Sequence, residues 1–327
     1  MNAPIKVLLT EAIDEEALAL LERKARVEFL DDLTKEKLLE RMGNVDILFN
    51  KTDASMVDRD VIRAGKRLRL IARHGSGYSN VDVQYATEKG IPITYTPGVN
   101  AHSVAEYTFG LLLMLAKKML PAIEAARKGM PDRRKFRGVE LYGKTFGIIG
   151  VGSIGREVVK RALAFGMKVL AYHPRPSASR LSDLDLKLVS LEELLIASDV
   201  VSFHASLTPE TTRLLGKREF SMMKKSAFFL NLGRGENIDE DALVEALKHK
   251  MIAGAAVDVV LEEPVRKENP LLALDNAVVL PHIASMTPEA QKRTAMTAVE
   301  DIIRFINGQR PRFMVNPEAF ANRADEN

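Results

Sequence analysis

The stretch "TFGIIGVGSIGREVVKRALAFGMKVLAYH", Thr145 to His173, limits the possible folds of this chain more than any other segment. An apolar run of strand length leads directly into Gly150, Gly152 and Gly155, spaced G-x-G-x-x-G, and a helix-length segment follows. Glycines at those positions permit a tight strand-to-helix turn and let backbone N–H groups approach an anionic ligand. A second apolar run, "MKVLAYH", completes a βαβ unit and places the turn at the carboxyl edge of a parallel sheet. Such a turn can exist without a ligand, but its place between strand and helix favours a pyrophosphate site and hence a dinucleotide.

The end of the second strand bears on which dinucleotide. There, about 20 residues past the fingerprint, an Asp or Glu ordinarily accepts hydrogen bonds from the ribose hydroxyls of NAD. This chain has His173. A carboxylate would repel a 2′-phosphate, whereas His173 would not. Arg175, in the "PRP" loop, is placed either to pair with the phosphate oxygens or to point into water. The expectation is NADP over NAD, with NAD still possible.

Two α/β series surround this unit. The runs "IKVLLT", "VDILFN", "LRLIAR" and "IPITY" alternate with the helical patterns "DEEALALLERK" and "TKEKLLERM", the rhythm of parallel βαβ construction. From Thr145 onward, "TFGIIG", "KVLAYH", "VVSFH", "AFFLNL", "IAGAAVDV" and "AVVLP" read as six strands of a doubly wound sheet. Between the two series, "NAHSVAEYTFGLLLMLAKKML" reads as a buried connecting helix. Ser103 and Glu106 are spaced as a capping box, and Pro121 ends or kinks the helix. Thr287, Pro288 and Glu289 start a last helix that runs toward Gly308.

A length of 327 residues with 46% hydrophobic content favours two domains. The absence of cysteine excludes disulfide scaffolds, thiolate metal sites and thiol nucleophiles, and fits a reducing, cytoplasmic compartment. Lys and Arg number 47 against 44 Asp and Glu, a dispersed net charge of +3 that gives no nucleic-acid face. "PDRRKFR", Pro131 to Arg137, is the one dense basic cluster. The longest apolar run, Tyr107 to Ala116, falls below the roughly 18 residues of a membrane span. The amino terminus has too short an apolar run for a secretory signal.

Three polar segments follow buried strands: "NLGRGENID" with Arg234, "DVVLEEP" with Glu263, and "LPHIASMTPEA" with His282. Ligands of open parallel sheets bind at the strands' carboxyl ends, so these three can converge on one cleft. Arg offers a planar fork to a carboxylate, His moves a proton near neutral pH, and Glu beside His favours the imidazolium. Together with a dinucleotide fingerprint, the set suits hydride chemistry on a 2-oxo acid. Each alone would read as a solvated or structural residue.

The chain resembles the D-isomer-specific 2-hydroxyacid dehydrogenases over nearly its whole length. "TPGVNAHSVAEYTFGLLL", "LYGKTFGIIGVGSIGREV", "FHASLTPETTRLL", "NLGRGENIDEDAL", "AAVDVVLEEP" and "LPHIASMT" look like successive family motifs in the right order. The resemblance implies a Rossmann cofactor domain, residues 102–288, inserted in a flavodoxin-like substrate domain made of residues 1–101 and 289–327. It implies Arg234, Glu263 and His282 as the catalytic residues. It also implies cofactor contacts at Thr108, Ser153, Ile154, Leu232, Gly233, Arg234, Asp258, His282 and Ser285, besides the three fingerprint glycines and His173. Ala205 and Ser206 join them, although Pro is common there. "RHGSGYSNVD" resembles the loop whose backbone N–H groups hold the substrate carboxylate, which points to Ser76 and Gly77.

Lys51, Arg73 and Arg133 or Arg134 match positions at which phosphoglycerate dehydrogenases place basic residues for a substrate phosphate. The expected substrate is therefore 3-phosphoglycerate, with glyoxylate or hydroxypyruvate as the runner-up. Glu263 stands where formate dehydrogenases carry Gln, which disfavours formate. A rival of another class is a dinucleotide-sensing protein like the C-terminal binding protein corepressors, disfavoured by the short tail "NPEAFANRADEN". The apolar connecting helix and the basic segment after it suggest a homodimer.

Overall fold

The computed structural model describes residues 4–51, 56–129, 132–174 and 181–324. The chain divides into two compact units, one of residues 1–100 and 287–327, the other of residues 101–286.

The first unit is built on five strands: β1 (Lys6–Leu9), β2 (Arg26–Phe29), β3 (Ile47–Asn50), β4 (Leu70–Arg73) and β5 (Ile93–Thr94). They run parallel in the order β2-β1-β3-β4-β5, the flavodoxin-like arrangement. Side chains alternate between two cores, as a strand period of two requires. Val7, Leu9, Ile47, Phe49, Leu70 and Ala72 face one way, packed with Ala295, Val299 and Ile302 of the helix Pro288–Ile306, which starts at the Thr287 cap. Leu8, Leu48 and Ile71 face the other way, against Leu38, Met42, Val61 and Ile62.

Those last residues come from α2 (Lys35–Met42) and α3 (Arg59–Ala64). With α1 (Glu15–Glu22) and α4 (Val83–Glu88), each helix begins at an Asp or Thr whose side chain accepts from first-turn N–H groups: Asp14, Thr34, Asp58 and Asp82. Each such cap contributes about 1 kcal/mol. Strand β2 lies outside the sequence reading. Its "RVEF" pairs only with β1 at the sheet edge and buries no residue fully, so no apolar run marks it.

The second unit carries seven parallel strands: β6 (Thr145–Ile149), β7 (Lys168–Tyr172), β8 (Lys187–Leu188), β9 (Val200–Phe203), β10 (Phe228–Asn231), β11 (Gly254–Val257) and β12 (Ala277–Val279). Their order is β12-β11-β10-β9-β6-β7-β8. The direction of winding reverses between β6 and β9, which makes the glycine turn after β6 a topological switch point. Six of these strands are the expected ones. The seventh, β8, is two residues at the edge beyond β7, too short to show as an apolar run.

The connecting helix, α5 (Ala101–Ala116), buries Val104, Ala105, Phe109, Leu111 and Leu112 in the core of this unit. The expected capping box does not form. Ser103 already lies in the first turn and its hydroxyl donates to the Ala284 carbonyl at 2.8 Å, while Glu106 pairs with Arg161 at 3.1 Å. Pro121 also plays a different part. α5 stops at Ala116, Lys118 turns left-handed, and Pro121 sits in the first turn of α6 (Met119–Arg127), where no N–H partner is lost. α6 buries no side chain. The remaining helices are α7 (Ser153–Ala164), α8 (Leu191–Ala197), α9 (Lys217–Met222) and α10 (Glu240–Lys248). Among the described residues, no helix is long and apolar enough to cross a membrane.

Candidate active site

Sterics require glycine at two of the three fingerprint positions. Gly150 has φ 94°, and a Cβ there would lie 2.5 Å from the Ala205 nitrogen. A Cβ on Gly155 would meet the Gly150 carbonyl oxygen at 2.3 Å. Gly152 is the N-cap of α7, makes no side-chain cap, and has open space where its Cβ would be. The 12-residue helix α7 therefore presents first-turn N–H groups that no side chain caps. These donors fit the pyrophosphate of a dinucleotide.

The other expected cofactor residues divide by environment. Ser153 is exposed and Ile154 half-buried in the first turn of α7, and Ser206 is exposed after β9. Ala205 is 8% exposed and lies directly beneath the glycine turn. Leu232 and Gly233 are buried just beyond β10, and Ser285 is half-buried. Thr108 is wholly buried, and its hydroxyl donates to the Val104 carbonyl at 2.7 Å within α5. His173 is half-buried immediately after β7. Arg175 lies outside the described residues.

The three adjacent strands β10, β11 and β12 each deliver one chemical group past their carboxyl ends. Arg234 follows β10, and its backbone is held by two fully buried amides. Its N–H donates to Asn237 Oδ1 at 2.8 Å, and its carbonyl accepts from Asn231 Nδ2 at 3.1 Å. Its guanidinium donates to the Gly233 carbonyl at 2.9 Å. Asn231 and Asn237 were missed in the sequence reading; the signal was an amide on each side of the arginine in "NLGRGEN".

His282, beyond β12, donates Nδ1–H to Glu263 Oε2 at 2.8 Å, since a carboxylate can only accept. That bond fixes the tautomer and leaves Nε2 as the ring nitrogen for proton exchange. The two side chains are 30% and 34% exposed, so the pair is open to a ligand. His282 has φ 56°, the left-handed region that costs a non-glycine residue about 1–2 kcal/mol.

Asp258 offsets that cost. Its carbonyl accepts from the His282 N–H at 2.8 Å, and its two carboxylate oxygens accept from the Ile283 and Ala284 N–H groups at 2.9 Å each. Burial pushes the Asp258 carboxyl up; the two N–H bonds and His282 oppose that rise. The carboxylate expected among the cofactor contacts is thus engaged on the loop that carries the histidine.

In the first unit, the loop after β4 is clamped from several directions. The His74 N–H donates to the Asn50 carbonyl at 3.0 Å, and the Thr96 N–H to the Gly75 carbonyl at 2.9 Å. Gly75 itself has φ 144°. In a trans peptide the N–H of the next residue points opposite the carbonyl, so the Ser76 N–H is turned away from Thr96. On the far side, Arg73 Nε donates to the Gly77 carbonyl at 3.1 Å.

Arg73 belongs to the same hydrogen-bond set. Expected as a substrate contact, it is 2% exposed, and Nη1 donates to both the carbonyl and the side-chain oxygen of Asn50. It supports the loop from beneath. Lys51 Nζ donates to the Ala12 carbonyl at 2.7 Å. Arg133 and Arg134 lie in an exposed turn, Arg133–Phe136, with Arg134 paired to Asp132 at 3.0 Å. Among the described residues, no group of three or more His, Asp or Glu is arranged to hold a metal.

Comparison with known proteins agrees with this geometry. Residues 109–284 match the NAD-binding domain of the D-isomer specific 2-hydroxyacid dehydrogenases. The chain is 42% identical over 313 residues to the D-3-phosphoglycerate dehydrogenase of Methanocaldococcus jannaschii, covering 95% of this chain but 59% of that relative's length. It is 41% identical to the hydroxypyruvate reductase of Thermotoga maritima, covering 92% of this chain and 98% of the relative. Among solved structures, the NADPH-dependent glyoxylate/hydroxypyruvate reductase of Sinorhizobium meliloti, bound to NADP and malonate, superposes with a TM-score of 0.86 at 26% identity, covering 97% of this chain and 98% of that one. With two doubly wound parallel sheets, an uncapped glycine turn and a histidine–carboxylate pair beyond adjacent strands, the chain belongs to the D-isomer-specific 2-hydroxyacid dehydrogenase family.

Proposed function

We propose that this protein is an NAD(P)-dependent D-2-hydroxyacid dehydrogenase acting as a reductase of a small 2-oxo acid such as glyoxylate or hydroxypyruvate. The observation that carries the reading is the 2.8 Å bond between His282 and Glu263 at the same sheet edge as Arg234. The nicotinamide, when bound, supplies the hydride. Glu263 holds the His282 ring so that Nε2 delivers the proton to the developing alkoxide at C2, and the Arg234 guanidinium stabilises that oxygen's charge. Both effects are strongest in the transition state, where they accelerate the reaction. Ser76 and Gly77 are the proposed N–H donors to the substrate carboxylate.

A small acid is favoured over 3-phosphoglycerate because Arg73 is buried beneath its loop and the Lys51 ammonium is bonded to a carbonyl. The similarity to phosphoglycerate dehydrogenase keeps the phosphorylated acid as the second reading. NADP is the proposed cofactor, since His173 leaves no carboxylate to repel a 2′-phosphate. We further propose a cytoplasmic homodimer. Its interface would include α6, whose Met119, Leu120 and Ile123 are 42%, 38% and 48% exposed. Sedimentation equilibrium tests the dimer; a concentration-independent monomer rules it out.

An activity matrix decides the rest. NADH and NADPH are each assayed against glyoxylate, hydroxypyruvate and 3-phosphohydroxypyruvate. The expected outcome is turnover of the two small acids with NADPH; cofactor binding without turnover would point to a sensor instead.

A further inference from the structure

Arg234 sits at the meeting point of two loops, and one buried side chain touches both. Asn237, wholly buried, accepts the Arg234 N–H on Oδ1 at 2.8 Å and donates Nδ2–H to the Thr211 carbonyl at 3.1 Å. Thr211 is 2% exposed, and its hydroxyl donates to the Ser206 carbonyl at 2.7 Å while accepting the Thr208 N–H at 2.8 Å. An unbroken chain of hydrogen bonds therefore runs from the Arg234 backbone through Asn237 and Thr211 to Ser206.

The segments are also in close steric contact. A Cβ on Gly233 would lie 2.8 Å from Asn237 Oδ1 and 3.0 Å from the Ala205 carbonyl oxygen. Backbone bonds run beside the side-chain bridge, from Arg213 N–H to the Glu236 carbonyl at 2.8 Å and from Asp239 N–H to the Leu215 carbonyl at 2.9 Å. Neither loop can shift by much without breaking a buried hydrogen bond of the other.

We propose that Asn237 is a positioning residue that couples the Ser206–Thr211 loop to Arg234, so that ordering of that loop by cofactor sets the arginine for substrate. Asn237 touches neither ligand. It acts through the peptide that carries the guanidinium and through the loop that carries Ser206. This inference rests on the proposed cofactor role of Ser206 and the proposed substrate role of Arg234. An amide is suited to the task because it accepts and donates from the two ends of one planar group; Ala provides neither bond and Asp only the accepting one.

Three variants separate coupling from simple support of the fold. Asn237→Asp keeps an oxygen for the Arg234 N–H and removes the donor to Thr211. Thr211→Val keeps the carbonyl and removes the hydroxyl on Ser206. Asn237→Ala removes both halves of the bridge. NADPH dissociation constants are read by fluorescence titration, kcat and KM with glyoxylate and hydroxypyruvate, and melting temperature for each.

Asn237→Asp and Thr211→Val are expected to weaken NADPH binding about 10-fold and to raise KM for the oxo acid about 3- to 10-fold with kcat within about 3-fold, and Asn237→Ala to weaken binding and also lower kcat about 10-fold. NADPH dissociation constants, or KM values for the oxo acid, within about 2-fold of wild type in both Thr211→Val and Asn237→Asp would overturn the coupling, whatever their melting temperatures. Should Asn237→Asp fail to fold, the Thr211→Val constant decides alone. Absence of wild-type turnover on every acid would instead sink the substrate reading, while the binding constants still judge the coupling.

Discussion

The two sheets of this protein share an architecture and differ in what their carboxyl edges display. In the five-stranded sheet, the polar residues at the strand ends face inward. Asn50 and Arg73 are buried, and their hydrogen bonds hold a glycine loop so that backbone groups are presented. In the seven-stranded sheet, the strand-end backbone is itself held by buried Asn231, Asn237 and Asp258, and charged side chains are presented: Arg234, Glu263 and His282. A backbone cradle recognises an anion by shape and N–H direction. A side-chain cluster can also transfer a proton. On the proposed function, the same fold serves recognition in one unit and chemistry in the other.

The sharpest way to break that contrast is to remove the chemistry. His282→Asn and Arg234→Gln are each expected to cost at least about 100-fold in kcat with the fold retained, as for a proton-transfer group and a transition-state charge partner. Near-normal turnover in either variant would mean that the side chains of the larger sheet are not the reacting groups.

Acid stability probes the interiors behind both edges. Burial, reinforced by Lys51 and Arg73, pushes His74 down to about 4, and burial alone pushes His204 down to about 3. Both residues bind fewer protons folded than unfolded, so their contribution is complete above about pH 6.5 and is lost as pH falls toward about 4 for His74 and about 3 for His204. Urea unfolding at pH 7 and pH 4.5 is expected to differ by on the order of 3 kcal/mol for His74, with a flatter dependence in His74→Gln. An equal slope in that variant would place the acid sensitivity elsewhere.

Cofactor choice is proposed to rest on His173 at the edge of the larger sheet. Restoring an acid by His173→Asp is expected to move the NADPH-to-NADH ratio of kcat/KM toward NADH by about 10-fold, the value of one charge-assisted hydrogen bond. A wild-type preference for NADH would remove the basis for this prediction. In the smaller sheet, Arg73→Lys keeps the charge but loses the fork that reaches Asn50 and Gly77 together. Its expected effect is a rise of about 3- to 10-fold in KM for the oxo acid, with NADPH binding and kcat nearly unchanged. A change in kcat alone would count against the cradle.

How far these features could be read from sequence follows the same contrast. Strands buried on both faces, such as Ile47–Asn50 and Phe228–Asn231, announce themselves as apolar runs, and the glycine spacing locates the turn. Edge strands Arg26–Phe29 and Lys187–Leu188 do not, because one partner and open solvent impose little pattern. The gathering of Arg234, Glu263 and His282 beyond adjacent strands was legible because each follows an apolar run. The burial of Arg73 was not legible, because a basic letter says nothing of its surroundings. The bonds of Asn237 stayed hidden because they run to one N–H and one carbonyl that only the folded backbone brings within reach.

The left-handed backbone at His282 also shapes which substitutions this position can tolerate. In a saturation library, every replacement loses the imidazole, yet the variants should not be equally stable. Gly, Asn and Asp adopt that conformation readily, whereas Val, Ile and Thr resist it. Activity across the library should therefore be uniformly low while expression and melting temperature spread widely. The histidine already carries the left-handed penalty, an alanine variant keeps it, and asparagine removes the chemistry while easing the backbone.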